Sequence, residues 1–159
     1  MPYLIDGNNL IGHIPSLDLK DQASRKLLVS RLQIFQEFKK TRVIVVFDGP
    51  FDPDIAEGRF KDTPFRVCFP PFSQTADDVI EETICRQTDL RQFFVVSSDR
   101  EIKNFTRSKG AKPLDCSEFL RRLKATLKKY DKIAEMEKNT PTPSPLEVDI
   151  WSDIFKGKQ

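Results

Sequence analysis

Three short stretches of the chain stay apolar from one residue to the next instead of alternating with polar positions. They are Tyr3–Asp6, Val43–Asp48 (VIVVFD) and Phe93–Ser98 (FFVVSS). Continuous β-branched and aromatic runs of this length predict strands of a sheet covered on both faces. A weaker run, Arg66–Phe69, predicts a further strand, and Ala111–Leu114 a short edge strand. Between these runs the spacing becomes helical. Over Leu19–Lys40 it sets Leu27, Leu28, Leu32, Ile34, Phe35 and Phe38 largely along one side. Helices are also predicted over Thr75–Gln87, over Arg100–Lys109 with Gly110 as its stop, and over Ser117–Lys138. Strand, helix, strand, loop, helix, strand, helix is the order of an α/β protein with a parallel sheet.

The segment 52–64 is polar and interrupts this order, so it is expected to be a surface excursion. Asn139–Pro145 (NTPTPSP) has the composition of a stiff, extended linker, and LEVDIWSDIF beyond it is a separate short element. The expected organisation is one domain over 1–138, followed by a Pro-rich linker and a C-terminal docking segment over 139–159. Ile150 with Ile154, and Trp151 with Phe155, are four residues apart and would share one side of a helical turn or two. So short a piece is not stable alone and must dock on its own domain or on a protein partner.

Composition narrows the class. The 159 residues suffice for a sizeable core without staples. Three widely spaced cysteines, with no C-x-x-C pair, argue against a disulfide framework and a thiolate zinc site, and for a reducing cytoplasm. No apolar run approaches a membrane span, and Met1-Pro2-Tyr3 enters a strand at once, so neither a signal peptide nor a membrane helix is expected. The net charge of +2 hides an asymmetry. Residues 1–102 hold 13 Lys/Arg and 16 Asp/Glu, while residues 103–159 hold 13 and 8. An acidic part joined to a basic part suggests a charged partner.

The acids have a pattern. Asp6, Asp48 and Asp99 each lie at or just past the carboxyl end of a strong apolar run. Parallel strands bring those ends to one edge of the sheet, where open α/β sheets bind ligands. A fourth source is TADD, where Asp77 or Asp78 opens a helix. Each acid alone also has a turn or capping reading, and Thr75 with Asp78 resembles a capping box. As a set they repel, since two unit charges about 4 Å apart in partly buried surroundings cost on the order of 4 kcal/mol. Protons or cations must offset that charge. All-oxygen donors suit Mg²⁺ or Mn²⁺, as one or two ions, and an acidic metal cluster suits attack of water on a phosphodiester. Asn9 and Asn8 would orient a carboxylate or hold a phosphate. Ser97, Ser98 and Arg100 flank Asp99 and would contact phosphate oxygens.

LIDGNN, VIVVFDG, TADDVIEE and VVSSDREI, in this order and spacing, resemble the NYN domain family, in particular its YacP-like bacterial branch, relatives of the PIN-domain nucleases. The resemblance spans residues 3–138. It implies a PIN-like three-layer α/β/α sandwich with a central, mainly parallel sheet, and a metal-dependent endoribonuclease acting on RNA. YacP-like members are linked to cleavage of messenger RNA at the ribosome. Position by position, Asp6 and Asn9 match DGxN, Asp48 the acid after the second strand, Asp77 that of TAD and Asp99 that of SD. Asp78 ranks below Asp77. The catalytic candidates are therefore Asp6, Asp48, Asp77, Asp99 and Asn9, with Asp6, Asp77 and Asp99 as metal ligands.

An RNA partner needs cations outside the acidic centre. Residues 103–138 are rich in Lys and Arg. Lys103, Arg107 and Lys109 follow Asp99 on one helix and are expected to flank the site, with Arg59 and Lys61 as candidates for a gripping loop. Thirteen Phe residues are expected to be mostly core, including Phe51, Phe60 and Phe72, whose other reading is stacking on unpaired bases. His13, in IGHIP, reads as a loop residue with a proton shuttle as its alternative. The rival to the endoribonuclease is an RNA- or ribosome-binding module with little or no catalytic activity. A phosphatase-type enzyme is disfavoured because no D-x-D follows the first strand.

Overall fold

The computed structural model describes residues 1–55 and 63–137. Arg59, Phe60 and Lys61 of the excursion, and the linker and docking segment expected at 139–159, lie outside the described residues. In chain order the elements are β1 (Tyr3–Asp6), α1 (Gly7–Gly12), α2 (Gln22–Lys39), β2 (Val43–Val46), β3 (Phe65–Cys68), α3 (Ala76–Arg86), β4 (Phe94–Val96), α4 (Arg100–Ser108), β5 (Lys112–Leu114) and α5 (Cys116–Met136).

All five strands pair in parallel, in the order β3-β2-β1-β4-β5. The sheet is thus wholly, not mainly, parallel. The chain runs outward from β1 to β2 and β3, then returns to lay β4 on the other side of β1. That reversal falls between β1 and β4. In open α/β sheets a crevice forms there, outside the carboxyl ends of the strands.

Alternation along each strand assigns the two faces. Tyr3, Ile5, Val43, Val45, Phe65, Val67 and Val96 pack with Leu10, Ile11, Leu28, Leu32, Phe35, Phe119 and Leu123, beneath α1, α2 and α5. Leu4, Ile44, Val46 and Val95 pack with Ala76, Ile80, Ile84 and Ile102, beneath α3 and α4. The result is an α/β/α sandwich with a core on each side. Tyr3, Phe35 and Phe119 interlock with ring centroids 5.2–5.5 Å apart, which ties β1 to α2 and α5.

Most elements follow the apolar pattern, with shorter ladders. Phe47 and Ser97 each keep one backbone hydrogen bond to the next strand, to the Cys68 and Leu114 carbonyls, and Asp48 and Ser98 beyond them belong to the loops at the carboxyl edge. The helix expected from Leu19 starts instead at Gln22, because Asp21 caps it by accepting from the Ala23 N–H at 2.9 Å. The last helix starts at Cys116, behind Asp115, rather than at Ser117. One helix was not expected at all. Gly7–Gly12 looks like a turn in sequence but is helical, with Leu10 and Ile11 buried against α2 and the sheet.

Candidate active site

The site is built on the β1–α1 junction. Asp6 is the last residue of β1 and is 6 % exposed. Strand alternation puts it on the same face as Leu4, toward α3 and α4. Gly7 turns the chain directly into α1. A Cβ there would come within 2.6 Å of two Phe47 ring atoms, so only glycine lets α1 begin this close to β2. The helix then presents one asparagine to each neighbouring strand end.

Asn8 reaches the end of β2. Its Nδ2 donates to the Asp48 carbonyl at 3.2 Å, and its Oδ1 accepts from the Asp48 N–H at 3.1 Å. Arg25, buried on α2, closes the same loop from outside. It donates to the Asp48 carbonyl at 2.7 Å and the Pro50 carbonyl at 3.3 Å, with its guanidinium over the Phe47 ring. Gly49 adopts φ +104°, and a Cβ there would meet the Arg25 guanidinium at 2.7 Å. The Asp48 backbone is thus held at three points while its side chain is exposed.

Asn9 reaches the end of β4. Its Oδ1 accepts from the Ser98 N–H at 2.8 Å and from the Cys116 thiol at 3.0 Å. The Ser98 hydroxyl in turn accepts from the Cys116 N–H at 3.1 Å. The buried Ser97 hydroxyl donates to Asp6 Oδ2 at 3.1 Å and accepts from the Asp99 N–H at 3.1 Å, so one hydroxyl links two of the acids. Asp99 caps α4 with Oδ1, which accepts from Glu101 and Ile102 N–H. Its Oδ2 has no hydrogen bond among the described residues. Burial raises the Cys116 thiol to about 11, which keeps it protonated and able to donate to Asn9.

The TADD motif divides its labour. Thr75 and Asp78 form a reciprocal capping box, Thr75 Oγ1 accepting from the Asp78 N–H and Asp78 Oδ2 from the Thr75 N–H. Asp77 is left to the crevice. Its carboxyl is raised above the ordinary value by partial enclosure and then by the charges of Asp99, Asp48, Glu101 and Asp78. Asp6 is pushed up to about 6, chiefly by burial. The Ser97 hydroxyl and the Asn9 N–H offset part of this, and the charges of Asp77 and Asp99 add to it. Carboxylates from the end of β1, the loops after β2 and β4, and the first turn of α3 therefore act on one another at the switch point. Among the described residues, however, no three Asp, Glu, His or Cys side chains form a ready-made metal cage.

Of the remaining candidates, Arg100 opens α4 beside this centre, whereas Arg107 and Lys109 at the far end of α4 and Lys112 at the start of β5 lie toward the amino ends of the strands. Arg100 is exposed at the first turn of α4. Lys103 is ion-paired with Asp115, and Arg107 donates to Asn104 at 3.3 Å. Lys109 lies over the Phe105 ring and Lys112 over that of Phe94. The exposed His13 ring lies 2.8 Å from the Asn9 carbonyl at the end of α1. Phe51 and Phe72, expected in the core, are 64 % and 110 % exposed. Two positioning residues were missed in sequence, Arg25 and Cys116. Arg25 had a signal, since it falls on the helical face of Leu28, Val29 and Leu32, where a charge is out of place. Cys116 had none.

The sequence model of the YacP-like NYN domain matches residues 3–156. The chain belongs to the YacP-like NYN domain family. A Bacillus subtilis (strain 168) member, YacP, is 29 % identical over 136 residues, covering 81 % of this chain and 78 % of that one. Two crystal structures of Rae1 (YacP) from Bacillus subtilis share the fold. One, of a tryptophan-to-leucine mutant, has a TM-score of 0.72 at 24 % identity, covering 96 % of this chain and 91 % of that chain. The other has a TM-score of 0.69 at 25 % identity, covering 98 % and 91 %. NYN domains are generally nucleases that use divalent metals, so membership in the family points to RNA-related, nuclease-type chemistry. No helix among the described residues is long and apolar enough to cross a membrane.

Proposed function

We propose that the protein is a metal-dependent endoribonuclease whose catalytic group is Asp6, Asp48, Asp77 and Asp99, positioned by Asn9. The observation that carries this reading is the nearly buried Asp6 carboxylate at the end of β1, joined through the Ser97 hydroxyl to the Asp99 turn at the switch point, with Asp77 close enough to add its charge. A fold that served only turns and caps would not gather like charges on a buried carboxyl.

The residues fit a hard divalent cation, Mg²⁺ or Mn²⁺. The donors are all carboxylate oxygens, two of them carry uncompensated charge, and Mg²⁺ sites commonly use one or two carboxylates with water completing the shell. One or two such ions would be held by Asp6, Asp77 and Asp99. A cation bound there supplies a more acidic water and offsets charge at the phosphate. The chain's own groups do the rest. Ser97 orients Asp6, Asn9 fixes the Ser98–Asp99 turn, and Asn8 with Arg25 sets Asp48 to receive a proton from the attacking water. Arg100 and Lys103, in the first turns of α4 next to Asp99, are the candidates to contact a phosphate backbone, with Arg107 further along the same helix.

The substrate class is RNA, with messenger RNA at the ribosome the candidate implied by the family resemblance, and the cytoplasm the compartment. The test is RNA cleavage with Mg²⁺ or Mn²⁺, with and without EDTA, alongside Asp6→Asn and Asp77→Asn. Activity that survives both substitutions overturns the assignment. The second reading, an RNA- or ribosome-binding module with little catalysis, is favoured by the lack of a ready-made three-ligand cage among the described residues. Retained RNA binding without turnover under either metal would select it.

A further inference from the structure

We propose that the hollow beside Asp48 is a stacking subsite for one unpaired base of single-stranded RNA, with Phe72 and Phe51 as its aromatic surfaces. The inference rests on the endoribonuclease reading and specifies which form of RNA enters the site. The hollow has a volume of about 360 Å³, and its walls include Asp48, Pro50, Phe51, Pro71, Phe72 and Gln74. That is room for one nucleoside and too little for a helix of another protein. Asp48 is a wall of the hollow and a member of the acid group, so an occupant lies within one nucleotide of the reacting phosphate.

Its chemistry selects the base rather than the phosphate. Among the described residues no Lys or Arg lines it, and the one charged group on its walls is a carboxylate. A phosphate would be repelled, whereas a neutral flat ring would be enclosed by phenyl and prolyl surfaces. Phe51 and Phe72 are the exposed phenylalanines among the described residues, and both line this hollow. Phe51 is exposed yet fixed, edge-on to Phe69 at 5.4 Å, and Phe69 leans on the buried Phe47 at 6.0 Å. Phe72 follows Pro70-Pro71 in a turn closed by the Gln74 N–H on the Pro71 carbonyl at 2.9 Å. The prolines restrict that backbone, so the ring is presented to solvent at little cost in conformational entropy. A second hollow of about 640 Å³ shares Phe51, Pro71 and Gln74 and gives the strand a continuation. Base–aromatic stacking accepts any base, which suits a site with no base-reading donors on its aromatic walls.

The test uses the full-length chain carrying Asp6→Asn, to prevent turnover, and a single-stranded RNA with 2-aminopurine placed at successive positions. One position is expected to be quenched on binding, and the same RNA in a duplex is not. Phe72→Leu or Phe51→Leu is expected to remove that quench and weaken binding about ten- to hundredfold, whereas Phe72→Tyr restores both. An abasic nucleotide at the quenched position should weaken the parent and add nothing in Phe72→Leu. If the parent binds single-stranded RNA and the Leu variants match it, the subsite is wrong while the nuclease reading stands. If the parent binds no RNA in either form, both fall.

Discussion

Replacing Asp6 by Asn should make the metal-free protein more stable while abolishing cleavage. The Asp6 carboxyl has a pKa near 6 in the folded chain against an ordinary 3.8. Between those values the folded state holds more protons than the unfolded one. Stability therefore falls as pH rises from about 4 through 6, and stays reduced above. The neutral amide has no such slope, and its Oδ1 can still accept from Ser97. At about 1.4 kcal/mol per pH unit, the ionised carboxyl removes about 3 kcal/mol at pH 7.5 and about 1 kcal/mol at pH 4.5.

The assay is urea unfolding of wild type and Asp6→Asn in EDTA at both pH values. The variant should be the more stable by about 3 kcal/mol near neutrality, with the gap narrowing to about 1 kcal/mol in acid. Mg²⁺ should then raise the wild type and leave the variant where it was, because a ligand stabilises only the form that binds it. Equal stability at neutral pH in EDTA would refute the electrostatic account of the site. A variant less stable at every pH would show Asp6 to be a structural residue.

Further substitutions separate catalytic from supporting roles. Asp99→Asn keeps the α4 cap and should stay within about 0.5 kcal/mol of wild type in urea unfolding while losing cleavage, whereas Asp99→Ala should also lose about 1 kcal/mol. Asp78→Ala breaks the capping box and should cost about 1 kcal/mol with cleavage retained, the opposite of Asp77→Asn, as paired unfolding and cleavage assays would show. Asn8→Ala removes the partner of the Asp48 N–H and leaves the Asp48 carbonyl to Arg25 alone, so stability should fall by about 1 kcal/mol and cleavage should slow through Asp48, read from denaturation and single-turnover rates. Gly7→Ala forces a methyl into the Phe47 ring and should lower the unfolding free energy by about 1–3 kcal/mol.

The sheet and the gathering of its acids were legible for one reason. Apolar runs that do not alternate imply strands covered on both faces, and parallel strands leave their carboxyl ends together. Tyr3–Asp6, Val43–Val46 and Phe94–Val96 are those strands; Asp6 ends the first, and Asp48 and Asp99 lie just past the other two. From the residues alone Asp77 and Asp78 were alternatives, and only the family resemblance ranked Asp77 first; the structure gives Asp78 to the capping box with Thr75. What was not legible depends on tertiary contact. GNNLIG has poor intrinsic helix propensity, each Gly alone being unfavourable by about 1 kcal/mol. It is helical because Leu10 and Ile11 bury and because both asparagines find partners on other loops. Phe51 and Phe72 were assigned to the core from residue type, which holds on average but not beside a site.

LIDGNNLIG thus has a physical explanation that turn chemistry alone does not supply. Four carboxylates on separate loops repel, so the loops need cross-links that do not add charge. An asparagine side chain carries a donor and an acceptor and is neutral, which lets Asn8 satisfy both the N–H and the carbonyl of Asp48. Asn9 anchors Ser98 and the Cys116 thiol with a single oxygen. A lysine or arginine in either place would compensate the acids directly, lower the Asp6 carboxyl and compete with any cation for it. Arg25, by contrast, is directed at the backbone carbonyls of Asp48 and Pro50, where it fixes the geometry of that loop. Among the described residues, neutral brackets at the centre leave the acids uncompensated, and that is the condition the proposed divalent ion would need.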